Sequence, residues 1–137
     1  MGMVLDFEMR QQYFYVRLTG SYDSLEQAYG LYERMSEAAY SFGATKILVD
    51  CLELTGAPRF ADYYAFGKFV GDQDTKSEDS ARWIAAWVGT PPTFDKQHFT
   101  ELVANNRGAR MKVFDNMEDA LKWLGVADTR EKKEVAQ

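Results

Sequence analysis

Polar and apolar positions change period several times along the chain, and each change marks an element. Met3, Leu5, Phe7 and Met9 alternate with Asp6, Glu8 and Arg10, the two-residue period of a half-buried strand. After Gln11 and Gln12, Phe14, Val16 and Leu18 alternate with Tyr15 and Arg17 up to Gly20, so the chain is predicted to open with a β-hairpin. From Leu25 to Phe42 the apolar residues recur at three- and four-residue steps, as on a helix with one buried stripe. Ser24 and Gln27 have the spacing of a capping box ahead of that helix, and Gly43 suits the left-handed residue that ends it.

Lys46 to Cys51 is a short continuous apolar run between polar ends, which suits a strand covered on both faces. Pro58 fits a helix start because its missing N–H has no partner to lose there. The spacing then predicts an aromatic helix over 58–70, with Phe60, Tyr63, Tyr64, Phe66 and Phe69, closed by Gly71. Residues 72–80 contain no hydrophobic side chain and are expected to form a surface loop. Residues 82–88 read as the next buried strand, stopped at Gly89-Thr90-Pro91-Pro92 because prolines cannot continue a ladder. A third helix is predicted over 94–105, a strand over 110–114 after Gly108, and a last helix from the Asn116–Asp119 cap to Leu124, ended by Gly125. The charged stretch 126–137 is expected to fray.

The order β-β-α-β-α-β-α-β-α requires crossovers between parallel strands, and these are right-handed in nearly all folds. The expected architecture is therefore α/β: a five-stranded, mostly parallel sheet opened by a β-hairpin, with four helices, as one domain over 1–125. Composition narrows the function classes. Sixteen Lys and Arg against twenty-one Asp and Glu give a net charge of −5, which supplies no basic footprint for nucleic acid or an anionic membrane. One cysteine cannot close an internal disulfide, and the alternating N-terminus has no secretory apolar stretch. A cytoplasmic protein without stable membrane insertion is expected.

Three segments carry a family resemblance: Lys46-Ile47-Leu48-Val49-Asp50-Cys51 running into Leu54-Thr55-Gly56; Asn105-Asn106-Arg107-Gly108; and Val113-Phe114 with Glu118-Asp119-Ala120-Leu121-Lys122-Trp123-Leu124. Together they resemble the SpoIIAA-like family of STAS-type domains over residues 13–124. The resemblance implies a right-handed β-α superhelix with strands in sequential order, similar to anti-sigma-factor antagonists and to CRAL-TRIO lipid-binding proteins. In the antagonists a serine at the start of the helix after the third strand is phosphorylated. Here Ala57-Pro58-Arg59-Phe60-Ala61-Asp62 holds no serine, so that switch is not carried over. Thr55 is the nearest hydroxyl, and beside Gly56 its expected role is a hydrogen bond to backbone.

Reactive groups are few. One histidine, His98, and one cysteine, Cys51, stand in different elements, which offers no converging metal-ligand set and no cofactor motif. His98 is expected on the surface of the third helix, and Cys51 as a small hydrophobe at a strand end. Arg107 is expected to tie the turn after the third helix to nearby carbonyls. Asp50 ends a parallel strand at the carboxyl edge of the sheet, where α/β proteins bind ligands, and Thr55, Arg59 and Thr90 belong to the same edge. Asp50 is expected either to hold the backbone of the Leu52–Gly56 loop or to touch a ligand.

The aromatic surplus points to recognition. Phe60, Tyr63 and Tyr64, with Phe66 and Phe69, spread around more than one face of their helix, more than one core contact buries. Trp83 and Trp87 share a strand face opposite Ile84, Ala86 and Val88, and one face of the sheet needs cover from the last helix, the N-terminal segment, a second subunit or an apolar guest. The leading expectation is a non-enzymatic binding or regulatory module. It would recognise a partner protein or a small apolar, lipid-like ligand through helix 58–70 and the edge loops, at Asp50, Thr55, Arg59, Phe60, Tyr63, Tyr64 and Thr90, with Trp83 and Trp87 at an interface and a homodimer open. The alternatives are an enzyme with Asp50 as general base and Arg59 orienting an anionic substrate, and a structural dimerisation domain.

Overall fold

In the computed structural model, which describes residues 2–76 and 83–127, β1 (Met3–Met9) and β2 (Phe14–Ser21) form the expected antiparallel hairpin, with Met9 opposite Phe14 and Met3 opposite Gly20. The chain continues through α1 (Leu25–Ser41), β3 (Lys46–Asp50), β4 (Leu54–Thr55), α2 (Phe60–Asp74), β5 (Ile84–Val88), α3 (Phe99–Asn106), β6 (Met111–Phe114) and α4 (Met117–Leu124). Among the described residues the strand order is β1-β2-β3-β5-β6, antiparallel only at the hairpin. This is the mostly parallel sheet opened by a hairpin that the element order predicts, with the strands in the sequential order that the resemblance implies. The difference is a sixth strand, β4, whose two residues lie parallel to Gly20–Ser21 at the far end of β2. Two residues are too few for any period to show.

Alternation along the strands divides the core between two faces. Phe14, Val16, Ile47, Val49, Ala85 and Trp87 point to one face, where Tyr32, Met35 and Ala39 of α1, Val70 of α2 and Ala104 of α3 cover them. Tyr15, Leu48, Ala86 and Val88 point to the other, where Ala120, Leu121 and Leu124 of α4 pack. The last helix thus supplies the cover that the second face needs. Trp83 and Trp87, expected at an interface, are each 3% exposed and belong to the first face. The reason is that α1, α2 and α3 together close over the tryptophan side of β5, so no subunit is needed to bury it.

Helix ends follow side-chain chemistry. Ser24 accepts the Gln27 N–H at 3.1 Å, but the Gln27 side chain accepts from the Met3 N–H at 3.0 Å, so half the capping box is spent on anchoring β1. Asn116 caps α4 by accepting from the Asp119 N–H at 2.9 Å, and Gly125 ends it in the left-handed region. α3 starts later than the spacing predicts. Asp95 accepts the Phe99 N–H at 2.8 Å, His98 adopts φ 54°, and Phe94 sits in the preceding turn with its ring edge-on to Trp87. Arg107 faces the carboxylate of Asp72 at 3.7 Å and not the carbonyls expected.

Gly71 does not close α2. The helix runs on to Asp74, converting the start of the expected 72–80 loop into helix, and Gly67 and Gly71 face α3. A Cβ at Gly67 would lie 2.7 Å from the Thr100 carbonyl oxygen, and one at Gly71 would lie 2.9 Å from that of Ala104. Hydrogen at these positions is what lets the two helix backbones approach. Residues 77–80 of that loop, the start of the strand at Arg82 and most of the expected tail, 128–137, lie outside the described residues. Of the tail, Val126 packs on the second face and the Ala127 N–H donates to Gln12 at 2.8 Å.

Candidate functional site

Between α1, the first half of α2 and the carboxyl ends of the strands, the first face leaves a cavity of about 80 Å³. Leu18, Leu25, Leu31, Leu54, Phe66 and Phe94 line it, and the lining has no histidine or lysine among the described residues. Trp87 forms one wall, held by Tyr32 stacked at 6.1 Å and Phe66 edge-on at 5.8 Å. Its indole N–H is buried without an acceptor.

The polar groups lie at the rim. Tyr22 donates its hydroxyl to Asp62 at 2.9 Å, and Arg59 approaches the other Asp62 oxygen at 3.5 Å from a side chain that is 85% exposed. Burial, then the hydrogen bond to Asp62, holds the Tyr22 phenol well above its ordinary range. Asp62 is in the first turn of α2, where a negative side chain also meets the positive end of the helix dipole. Tyr63 donates to the Pro92 carbonyl, pinning the loop after β5 to α2. Burial raises the phenol of Tyr63 and, more strongly, the thiol of Cys51. Cys51 is therefore an inert wall group, as its place at the strand end suggests.

A second feature lies on the outer surface of the same helices. Phe60 is 68% exposed yet stacks on Phe99 at 5.3 Å, with Tyr64, 48% exposed, at 6.1 Å from the same Phe99 ring. Leu102, three residues after Phe99 on α3, extends this exposed apolar surface. The ring contacts of Phe60 and Tyr64 with Phe99 carry it from α2 to α3.

No family model matches the sequence, and no curated protein matches it. Solved structures do. One is an uncharacterised protein of the DUF3478 family with a SpoIIAA-like fold from Shewanella loihica PV-4, 22% identical, covering 90% of this chain and 94% of that one with a TM-score of 0.51. Another is an anti-sigma factor antagonist from Mycobacterium paratuberculosis, 15% identical, covering 90% and 95% with a TM-score of 0.54. The fold is SpoIIAA-like.

On this SpoIIAA-like scaffold the residues expected at one site separate into three places. Thr55 and Tyr63 line the cavity, Thr55 donating to the Gly20 carbonyl at 3.0 Å. Phe60 and Tyr64 belong to the outer aromatic surface, and exposed Thr90 to neither. Asp50 points to the opposite face of the sheet, because it follows Leu48 by two residues. There it accepts from the Tyr15 hydroxyl at 2.6 Å and the Leu52 N–H at 3.1 Å, in an open polar groove with Arg17 and Glu53. Asp50 therefore holds the loop, and the pairing of Asp50 with Arg59 is not assembled.

Tyr22, Asp62 and the cavity side of Trp87 escaped the sequence reading. A signal for Asp62 exists: it shares the helical stripe of Phe66, Phe69 and Val70. A carboxylate on a buried stripe needs a partner, and such a residue marks a polar site inside an apolar one. No helix among the described residues is long and apolar enough to cross a membrane, and no group of three or more His, Cys, Asp or Glu among them could hold a metal.

Proposed function

We propose that the protein is a non-enzymatic regulatory module of the cytoplasm, a single domain over 1–125, that recognises a partner protein through the aromatic surface of α2 and α3. The observation that carries this reading is the Phe60–Phe99 stack, two rings fixed at 5.3 Å with one of them 68% exposed. Fixed rings lose little freedom on binding, and burying one fully is worth about 1.5–3 kcal/mol, the scale of an interface anchor. The anti-sigma factor antagonist of the same fold is named for action on a protein, which fits a partner of that class. The cavity rim supports the reading indirectly, since Tyr22, Asp62 and Tyr63 fix the first turns of α2 and so the placement of Phe60 and Tyr64.

The test is affinity capture from native extract with the full chain, Phe60→Ser and Tyr40→Ser, the last altering an exposed ring on α1. Specific protein captured by the full chain and by Tyr40→Ser, and reduced at least about tenfold by Phe60→Ser, supports the reading; tenfold is about 1.4 kcal/mol. Equal capture by all three removes it. A concentration-dependent dimer in sedimentation that Phe60→Ser dissolves would instead assign the surface to a second copy.

A further inference from the structure

We propose that the outer edge of β1 accepts an extended segment of a partner protein as an added strand, one in which apolar side chains alternate with lysine or arginine. The site lies apart from the aromatic surface of α2 and α3 and does not rest on it. Among the described residues β1 ends the sheet and pairs with β2 alone. The Ser21 N–H bonds the Gly2 carbonyl, and the Arg10 N–H bonds the Tyr13 carbonyl. Alternation in an antiparallel pair then turns the backbone groups of Val4, Asp6 and Glu8 toward β2 and those of Leu5, Phe7 and Met9 outward. Among the described residues these outward groups have no hydrogen-bond partner. At Met3 the edge is closed, because its N–H donates to Gln27. Residues 5–9 stay open, about 17 Å of strand that no bulge or proline interrupts.

Side chains set the pattern of the occupant. On the first face Phe7 and Met9 are exposed, and the rings of Phe7 and exposed Phe42 lie 5.5 and 5.7 Å from that of Phe14. This apolar shelf carries the first-face core out to the edge. On the other face Asp6 and Glu8 are exposed, beside a groove shared with Arg10, Arg17, Asp50 and Glu53. Four carboxylates there face two guanidinium groups, and Glu8 and Glu53 already hold Arg10 and Arg17. An added antiparallel strand places the residues opposite Leu5, Phe7 and Met9 on the apolar side and those opposite Asp6 and Glu8 on the acidic side. Main-chain bonds supply the hold, and the alternation of apolar and basic side chains supplies the selection.

The same charges argue against a second copy. An antiparallel copy of β1 that pairs Leu5, Phe7 and Met9 sets Asp6 opposite Glu8 and Glu8 opposite Asp6, and like charges directly across a ladder are destabilising.

The experiment titrates the ¹⁵N-labelled full chain with the capped peptide Thr-Val-Lys-Ile-Arg-Val-Thr and with its counterpart carrying glutamate for lysine and arginine. Saturable binding of the basic peptide is expected, at least about tenfold tighter than of the acidic one, with the amide protons of Leu5, Phe7 and Met9 becoming protected from solvent exchange. Methylating the backbone nitrogen of the central isoleucine, which faces Phe7, should weaken binding at least about tenfold, whereas methylating that of the lysine, which points away from β1, should not. Asp6→Lys with Glu8→Lys should reverse the order of the two peptides; should that chain not fold, the methylated pair decides. Phe60→Ser should bind the basic peptide as the unaltered chain does, so this edge and partner capture through Phe60 stand or fall separately. Equal affinity for both peptides, no added protection at Leu5, Phe7 and Met9, or loss of binding in Phe60→Ser overturns the proposal. A concentration-dependent dimer that protects the same three amides without peptide assigns the edge to a second copy and overturns it too.

Discussion

Tyr22, in the segment after β2, donates its hydroxyl to Asp62 in the first turn of α2 across 40 residues of sequence. The bond ties the entrance of α1 to the entrance of α2 and closes the polar side of the cavity rim. Hydrogen bonds to charged acceptors contribute about 1.5–3 kcal/mol when buried, and this one is part-buried. Tyr22→Phe is expected to lower unfolding free energy by about 1–2 kcal/mol in urea titrations, with an unchanged m-value. A loss below about 0.3 kcal/mol would mean that the bond does not organise α2.

Glycines in helices are expected to behave oppositely according to what surrounds them. At Gly30 in α1 nothing lies within 4 Å of a Cβ position, so Gly30→Ala should stabilise by about 0.5–1 kcal/mol through backbone entropy. At Gly67 the new methyl would meet the Thr100 carbonyl at 2.7 Å and the Val103 Cβ at 3.0 Å. Gly67→Ala should destabilise by about 1–3 kcal/mol, as overpacking does. Thermal midpoints of the two variants moving in the same direction would contradict the close α2–α3 packing.

Asp74 gives the stability a pH dependence of defined sign. Burial raises its carboxyl from 3.8 to about 6, against the lowering effects of the Tyr32 hydrogen bond and the Arg110 charge. The folded state therefore holds this proton more tightly than the unfolded one, and the contribution of Asp74 to stability falls as pH rises from about 4 through about 6. The span is on the order of 2–3 kcal/mol. Asp74→Asn keeps an acceptor for Tyr32 and removes the titration. It should be more stable than the unaltered chain at pH 7.5, with the gap closing toward pH 4. A gap constant over that range would refute the assignment.

Sheet and helices were legible wherever a period ran long enough, as in the alternation of Phe14, Val16 and Leu18 or the stripe of α1. Local caps were legible at Ser24 and Asn116 because a side-chain oxygen acts within three residues. What failed depends on long-range packing. Gly71 has the composition of a helix stop but serves an α3 backbone 33 residues later, at Ala104. Trp83 and Trp87 have the pattern of an uncovered face, yet three helices close over them. Asp50 and Arg59 sit nine residues apart near one sheet edge but on opposite faces, because Asp50 follows strand alternation and Arg59 is the capping residue ahead of α2. The rim pair of Tyr22 and Asp62 has no motif spacing at all, and only the oddity of an acidic residue on an apolar stripe hints at it.

The most direct test of partner recognition places a photo-reactive benzoylphenylalanine at position 60, on the outer aromatic surface, and separately at position 40 on α1, where Tyr40 is 55% exposed. After irradiation in cells, the account predicts a discrete protein adduct from position 60 that is weaker or missing from position 40, and that Phe99→Ser removes while the chain stays folded. The same adducts from both positions, or none from position 60, would contradict it.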